Sequence, residues 1–152
     1  MIIRRIRITD IAHLKKLENE LAAFDRKKDP FLKKNAGKYY FKDLKNKFKE
    51  KSTFGFVAIE NNEIVGMITG LVENTFADAY LHRKEGLVRG FVVKKEYRKK
   101  GVGKKLLESV MKEFKKRGIK VYIVYFYSKN PAKKLYKKMG FKEYLSIARY
   151  SK

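Results

Sequence analysis

The 152-residue sequence has no cysteine and no tryptophan, two histidines, two prolines and few acidic side chains. Without cysteine there are no disulfides, no thiolate metal sites and no cysteine nucleophile. His13 and His82 give a histidine-rich metal site or a two-histidine acid–base pair little to draw on. No stretch approaches the roughly 20 apolar residues that span a bilayer. Arg4, Arg5 and Arg7 are not followed by an apolar run of signal-peptide length. These absences lead us to expect a soluble cytoplasmic protein with no membrane partner and no metal.

What is present is apolar bulk and positive charge. A hydrophobic fraction of 44%, with 14% aromatics, suits one packed core at this length, so one domain over residues 1–152 is expected and disorder is not. Lys and Arg number 39 against 16 Asp and Glu, a formal charge of +23. Residues 1–80 carry 16 basic and 11 acidic side chains, and residues 81–152 carry 23 and 5, a net of +18. A basic half attracts nucleic acid, an anionic membrane surface or a phosphorylated small molecule. Lysines that merely solvate helix faces account for the same excess.

Alternating isoleucines at Ile2–Ile8 predict an opening strand. Thr9 or Asp10 then caps a helix to about Phe24, with Ile11, Leu14, Leu17 and Leu21 at helical spacing. A loop containing Asp29-Pro30 and a weaker helix over about Tyr39–Lys49 follow. Thr53–Ile59 and Ile64–Val72 predict a hairpin across Asn61-Asn62. Leu87–Val93 predicts a strand and Gly101–Arg117 a strongly amphipathic helix stopped by Gly118. Val121–Tyr127 predicts a further strand, Pro131–Met139 a short helix and Phe141–Tyr150 a last strand. The expected fold class is α/β (α+β): a mixed, mostly antiparallel twisted sheet with helices on both faces.

The strand ending at Val93 runs through Arg98-Lys99-Lys100-Gly101-Val102-Gly103 into the strong helix. Strand, basic glycine turn and helix N-terminus form an anion site, because unpaired backbone N–H groups and the helix dipole face the ligand. A Walker A loop is excluded, since Lys105 follows Gly103-Lys104 and Arg98 fills the earlier glycine slot. A dinucleotide fingerprint is excluded by Leu106 and by the lack of an acidic residue about 20 positions on. A tight turn would by itself also account for Gly101-x-Gly103.

The longer pattern Val93-x-x-x-Tyr97-Arg98-x-x-Gly101-x-Gly103, followed by Leu106-Leu107, resembles the acetyl-CoA motif of the GNAT superfamily of N-acetyltransferases. Asn130-Pro131-Ala132-x-x-Leu135-Tyr136-x-x-x-Gly140-Phe141 and Glu63-Ile64-Val65-Gly66 are similar to further stretches of that family. The resemblance implies acetyl transfer from acetyl-CoA to a primary amine of a small molecule, peptide or protein, by direct attack in a ternary complex. It implies a splayed strand whose backbone at Phe91, Val92 and Val93 meets the pantetheine arm and the acetyl carbonyl. It implies that backbone N–H groups from Arg98 through Lys99, Lys100, Gly101, Val102 and Gly103, with Lys104, hold the pyrophosphate. Asn130 matches a cofactor-contacting asparagine, although it stands two residues before Ala132 where three is usual. Tyr136 matches the tyrosine beside the thioester sulfur. A Val93 N–H would stabilise the oxyanion and Tyr136 would act as general acid.

The general base is open among Glu73, Glu85, His82 and water. The acceptor would enter between the loop at Phe24–Ala36 and the loop at Asn74–Glu85, where Asp25, Asp29 and Asp78 attract a cation and Phe24, Phe31, Phe76 and Tyr80 form an apolar wall. A homodimer is compatible with the family resemblance. The unexplained positive charge keeps a second reading: a nucleic-acid-binding or CoA-binding protein on the same scaffold, without turnover.

Overall fold

The computed structural model describes residues 1–36, 48–75 and 80–150. The expected helix at Tyr39–Lys49 lies almost wholly outside the described residues, as do Phe76 and Asp78. The chain opens with β1 (Ile2–Arg5), a 3-10 turn at Ile8–Asp10 and α1 (Ile11–Arg26). Then β2 (Thr53–Glu60) and β3 (Glu63–Asn74) form the expected hairpin, with Asn61 and Asn62 at φ 49° and 60°. Two successive left-handed residues match the twist of the flanking strands, and asparagine tolerates that conformation better than most residues. There follow β4 (Lys84–Val93), a 3-10 turn at Lys95–Tyr97, α2 (Val102–Lys116), β5 (Tyr122–Val124) and α3 (Lys133–Lys138). The five strands lie in sequence order and are antiparallel except for the β4–β5 pair, which is parallel and joined through α2.

The two helix stripes explain the layers. Leu14 and Leu17 of α1 pack on Val57, Met67 and Val92 on one face of the sheet. Leu106, Leu107, Val110 and Phe114 of α2, all fully buried, pack on Phe54, Ala58, Ile68 and Val88 on the other. The mixed, mostly antiparallel sheet with helices on both faces is therefore as expected. Gly118 and Gly140 end α2 and α3 at positive φ. The N–H groups of Ile119 and Phe141 donate back to the carbonyls of Phe114 and Tyr136, each at 3.0 Å. Among the described residues no helix is long and apolar enough to cross a membrane. No cluster of three or more His, Asp or Glu side chains among them is placed to hold a metal.

Three local expectations change. Asp10 precedes α1, but its carboxylate accepts the Arg7 N–H at 2.7 Å and two Arg4 N–H groups at 2.7 and 2.8 Å instead of capping that helix. β5 stops at Val124 rather than Tyr127, because only Gly86–Val88 of β4 pair with it. The last strand expected over Phe141–Tyr150 is not formed. Its alternating side chains suit a strand, but a strand also needs a partner edge, and β5 offers three residues. The segment is instead fastened by side chains. Lys133 and Lys137 hold Glu143 at 3.0 and 3.3 Å, and Arg149 holds Asp29.

Candidate functional site

The site begins with an irregularity in β4. Thr69 of β3 faces Arg89, yet Met67, two residues earlier, faces Val92, three residues on from Arg89. The extra residue is a bulge at Gly90, whose φ of 51° suits glycine. The bulge reverses the facing of the strand. Val88 before it and Phe91 and Val93 after it all lie on the α2 face, while Val92 turns into the α1 core. Beyond Val88 the described pairing with β5 ends, so β4 presents an unpaired edge. Lys94 N–H donates to Val65 on β3 at 2.9 Å. Successive backbone N–H groups of a strand point to opposite edges, so the Val93 N–H is directed toward the gap left by β5.

Just past this edge lies the basic turn. Gly101 adopts φ 83° at the start of α2, and Lys99 is also left-handed at φ 61°. The first N–H groups of a helix lack intrahelical partners, which leaves those of Val102, Gly103 and Lys104 facing outward. Arg98 departs from expectation. Its backbone N–H donates to Lys95 at 3.2 Å, and its Nε donates to the Val93 carbonyl at 2.8 Å. Arg98 thus braces the turn against β4 rather than offering a backbone donor to a phosphate. Lys99, Lys100 and Lys104 are exposed. These donors, the dipole and the lysines fit the pyrophosphate of a CoA thioester.

An open cleft of about 1120 Å³ lies between the end of α1, the divergent part of β4 and β5, α3 and the C-terminal segment. Of the expected cofactor residues, Phe91, Asn130 and Tyr136 line it; the turn at 98–104 does not. The turn meets the cleft through Gly103, whose Cβ position would lie 3.2 Å from the Phe91 ring and 3.4 Å from Leu135. The Tyr136 ring is boxed by Phe91, Phe126 and Phe141 at centroid distances of 6.1, 5.4 and 5.8 Å. Burial, with the nearby Asp25 charge, pushes its hydroxyl well above the usual phenol range, so it is protonated at neutral pH. Asn130 Oδ1 accepts the Ala132 N–H at 2.9 Å, so its carbonyl shapes the turn into α3 and only its amide nitrogen faces other work.

Three expected base candidates fall outside the cleft lining. Glu73 and Glu85 face each other across β3 and β4, where burial and then the Glu73 charge raise the Glu85 carboxyl. His82 is exposed, and its carbonyl accepts the Thr75 hydroxyl at 2.7 Å. The carboxylates that do line the cleft near α1 are Asp25 and Asp29. Sequence reading missed Gly90, Arg149 and Glu18. Only the glycine inside a strand carried a usable signal, since bulges favour that residue.

Residues 15–141 match the profile of the Acetyltransferase (GNAT) family. An N-alpha-acetyltransferase of Sulfurisphaera tokodaii is 33% identical over 153 residues, covering 97% of this chain and 84% of that protein. An N-alpha-acetyltransferase of Saccharolobus solfataricus is 37% identical over 111 residues, covering 69% of this chain and 65% of that protein. The structure of a predicted acetyltransferase from Clostridium acetobutylicum, solved with acetyl-CoA, superposes with a TM-score of 0.79 at 18% identity, covering 99% of this chain and 95% of that one. The aminoglycoside 6'-N-acetyltransferase of Acinetobacter haemolyticus gives 0.77 at 15% identity, covering 100% and 98%. At these identities the two structures establish the fold.

Proposed function

This chain belongs to the GNAT family of acetyltransferases, and from that premise we propose that it acetylates the α-amine of a peptide or protein N-terminus. It is an acetyl-CoA-dependent N-acetyltransferase. The peptide acceptor is the finer reading, supported by the two relatives named N-alpha-acetyltransferase. One observation carries the site assignment: β5 leaves β4 after Val88, which frees the edge through Val93, whose side chain packs on the apolar cluster that contains the buried Tyr136.

Acetyl-CoA supplies an activated acetyl group with a thiolate leaving group. The exposed N–H groups at the start of α2, with Lys99, Lys100 and Lys104, hold its pyrophosphate. Phe91, Val92 and Val93 align its pantetheine arm through their backbone. The Val93 N–H donates to the acetyl oxygen as negative charge builds there. Asp25 holds the acceptor ammonium and takes its first proton, which passes to solvent. The Tyr136 hydroxyl gives its proton to the departing sulfur, and the second proton of the amine restores it. No covalent enzyme intermediate is needed, in keeping with the absence of cysteine.

The test pairs calorimetric titration with acetyl-CoA and a mass-spectrometric assay on peptides with free or blocked N-termini. One-to-one acetyl-CoA binding and acetylation of free N-termini alone are expected. Acetylation confined to lysine side chains or to small amines would overturn the peptide reading.

A further inference from the structure

Asp29 is one of few buried charged groups in the described residues, and a cation already sits on it. Arg149 Nη1 and Nη2 donate to its two carboxylate oxygens at 2.8 and 3.0 Å, and the Phe31 N–H donates at 3.1 Å. The Tyr127 hydroxyl lies at 3.5 Å from Oδ2. The Arg149 guanidinium stands 5.3 Å over the Phe31 ring. A buried carboxylate, an aromatic face and a phenol together are a receptor for an ammonium or guanidinium group. Asp29, Tyr127 and Arg149 all line the cleft that holds Asp25 and Tyr136.

Arg149 reaches this receptor from the C-terminal segment, which forms no strand. Tyr144, Leu145 and Ile147 on that segment are exposed. Asp29 N–H donates to the Asp25 carbonyl at 2.9 Å, so the turn that follows α1 carries the two aspartates on one wall of the cleft. Two carboxylates side by side in the cleft suit a peptide whose α-amine sits at Asp25 and whose next side chain carries a second cation.

We propose that Asp29, Phe31 and Tyr127 form a subsite for a Lys or Arg side chain next to the acceptor N-terminus, and that Arg149 occupies it as a competing internal ligand. The subsite rests on the peptide-acceptor reading and adds a specificity to it. A basic acceptor side chain displaces Arg149, whereas a neutral one leaves it in place.

The experiment uses the full chain and two hexapeptides that differ only by Lys or norleucine at the second residue. Acetylation kinetics and calorimetric binding to the CoA-loaded protein are measured for wild type, Asp29→Asn, Arg149→Met and Arg149→Lys. Thermal melts confirm that each variant is folded. The readout is the ratio of affinities for the two peptides within each variant, so general losses cancel. Wild type should favour the Lys peptide about threefold, as a partly exposed ion pair supports. Arg149→Met should widen that preference, Asp29→Asn should reduce it to near one, and Arg149→Lys should follow wild type. A ratio that is equal in all four proteins, or that moves the same way in Asp29→Asn and Arg149→Met, overturns the subsite and leaves the peptide reading standing if the norleucine peptide is acetylated. Binding of acetyl-CoA with neither peptide bound or acetylated overturns both.

Discussion

Tyr136 and Glu18 are both buried titratable groups, and their surroundings give them opposite consequences. Around Tyr136 three aromatic rings and the nearby Asp25 charge keep a proton on the hydroxyl, the form a general acid requires. Tyr136→Phe keeps the ring packing and removes only the hydroxyl, and with it the proton. Its kcat is expected to fall at least tenfold with acetyl-CoA affinity nearly unchanged. An unchanged kcat would remove it as the acid. Glu18 shares a face of α1 with Leu14 and Leu17, and burial lifts its carboxyl to about 7 from 4.5. Both folded and unfolded chains hold the proton well below 4.5, so folding is unaffected there. As pH climbs from that value to about 7, the unfolded chain ionises first and stability falls. Glu18→Gln should therefore stabilise the protein above pH 7 by up to about 3 kcal/mol and have little effect near pH 4. Denaturant titrations at the two pH values measure this; an equal gain at both would rule out ionisation as the cause.

Among the elements, β4 and the turn into α2 do most to build the site. A Cβ at Gly101 would meet no atom within 4 Å, but φ 83° strains any other residue there. Gly101→Val is expected to cost about 1–2 kcal/mol of stability and to weaken acetyl-CoA binding at least about tenfold, because its side chain would enter the space a pyrophosphate needs. Retained affinity in a calorimetric titration would separate this turn from the phosphate. At Gly103 the constraint is packing. Any Cβ there presses on Phe91 at 3.2 Å and so disturbs the partner of Tyr136. Gly103→Val should thus lower kcat as well as affinity, whereas Gly101→Val should act on affinity alone.

Across the whole molecule, most of the 23 basic side chains of residues 81–152 face solvent. Those of the turn at 98–104 stand where phosphates would bind; Lys112, Lys115, Lys116 and Lys120 lie at the far end of α2 or beyond it. Helix rise puts roughly 20 Å between the two ends of α2, so one cofactor cannot use both groups. Raising salt from about 50 to 500 mM shortens the screening length from well above 10 Å to well below it. Acetyl-CoA affinity should fall several-fold over that range, and any duplex DNA binding should be lost. DNA binding that persists at high salt, with salt-independent acetyl-CoA binding, would place the function of the charge elsewhere.

The amphipathic stripe of α2, the Asn61-Asn62 hairpin, the helix-ending glycines and the basic turn were all legible from residue order. Each depends on local geometry: helical spacing, positive φ, or a helix N-terminus following a strand. The family resemblance rested on that same local pattern. The early end of β5 and the unformed last strand were not legible, because each depends on which edge finds a partner; of the β4 bulge, only a glycine inside a strand, Gly90, was visible. Asp25 was readable as a cation-attracting residue, but its place beside Tyr136, and the exclusion of Glu73, Glu85 and His82 from the cleft, were not. Asp29 and Arg149 lie 120 positions apart and meet only in the folded chain. The sequence by itself thus determined the elements, their order and the cofactor turn, through short-range backbone and side-chain preferences. Tertiary structure alone decided the cleft, the facing of Val93 and the cation already seated on Asp29, because those arise from contacts between segments far apart in the chain.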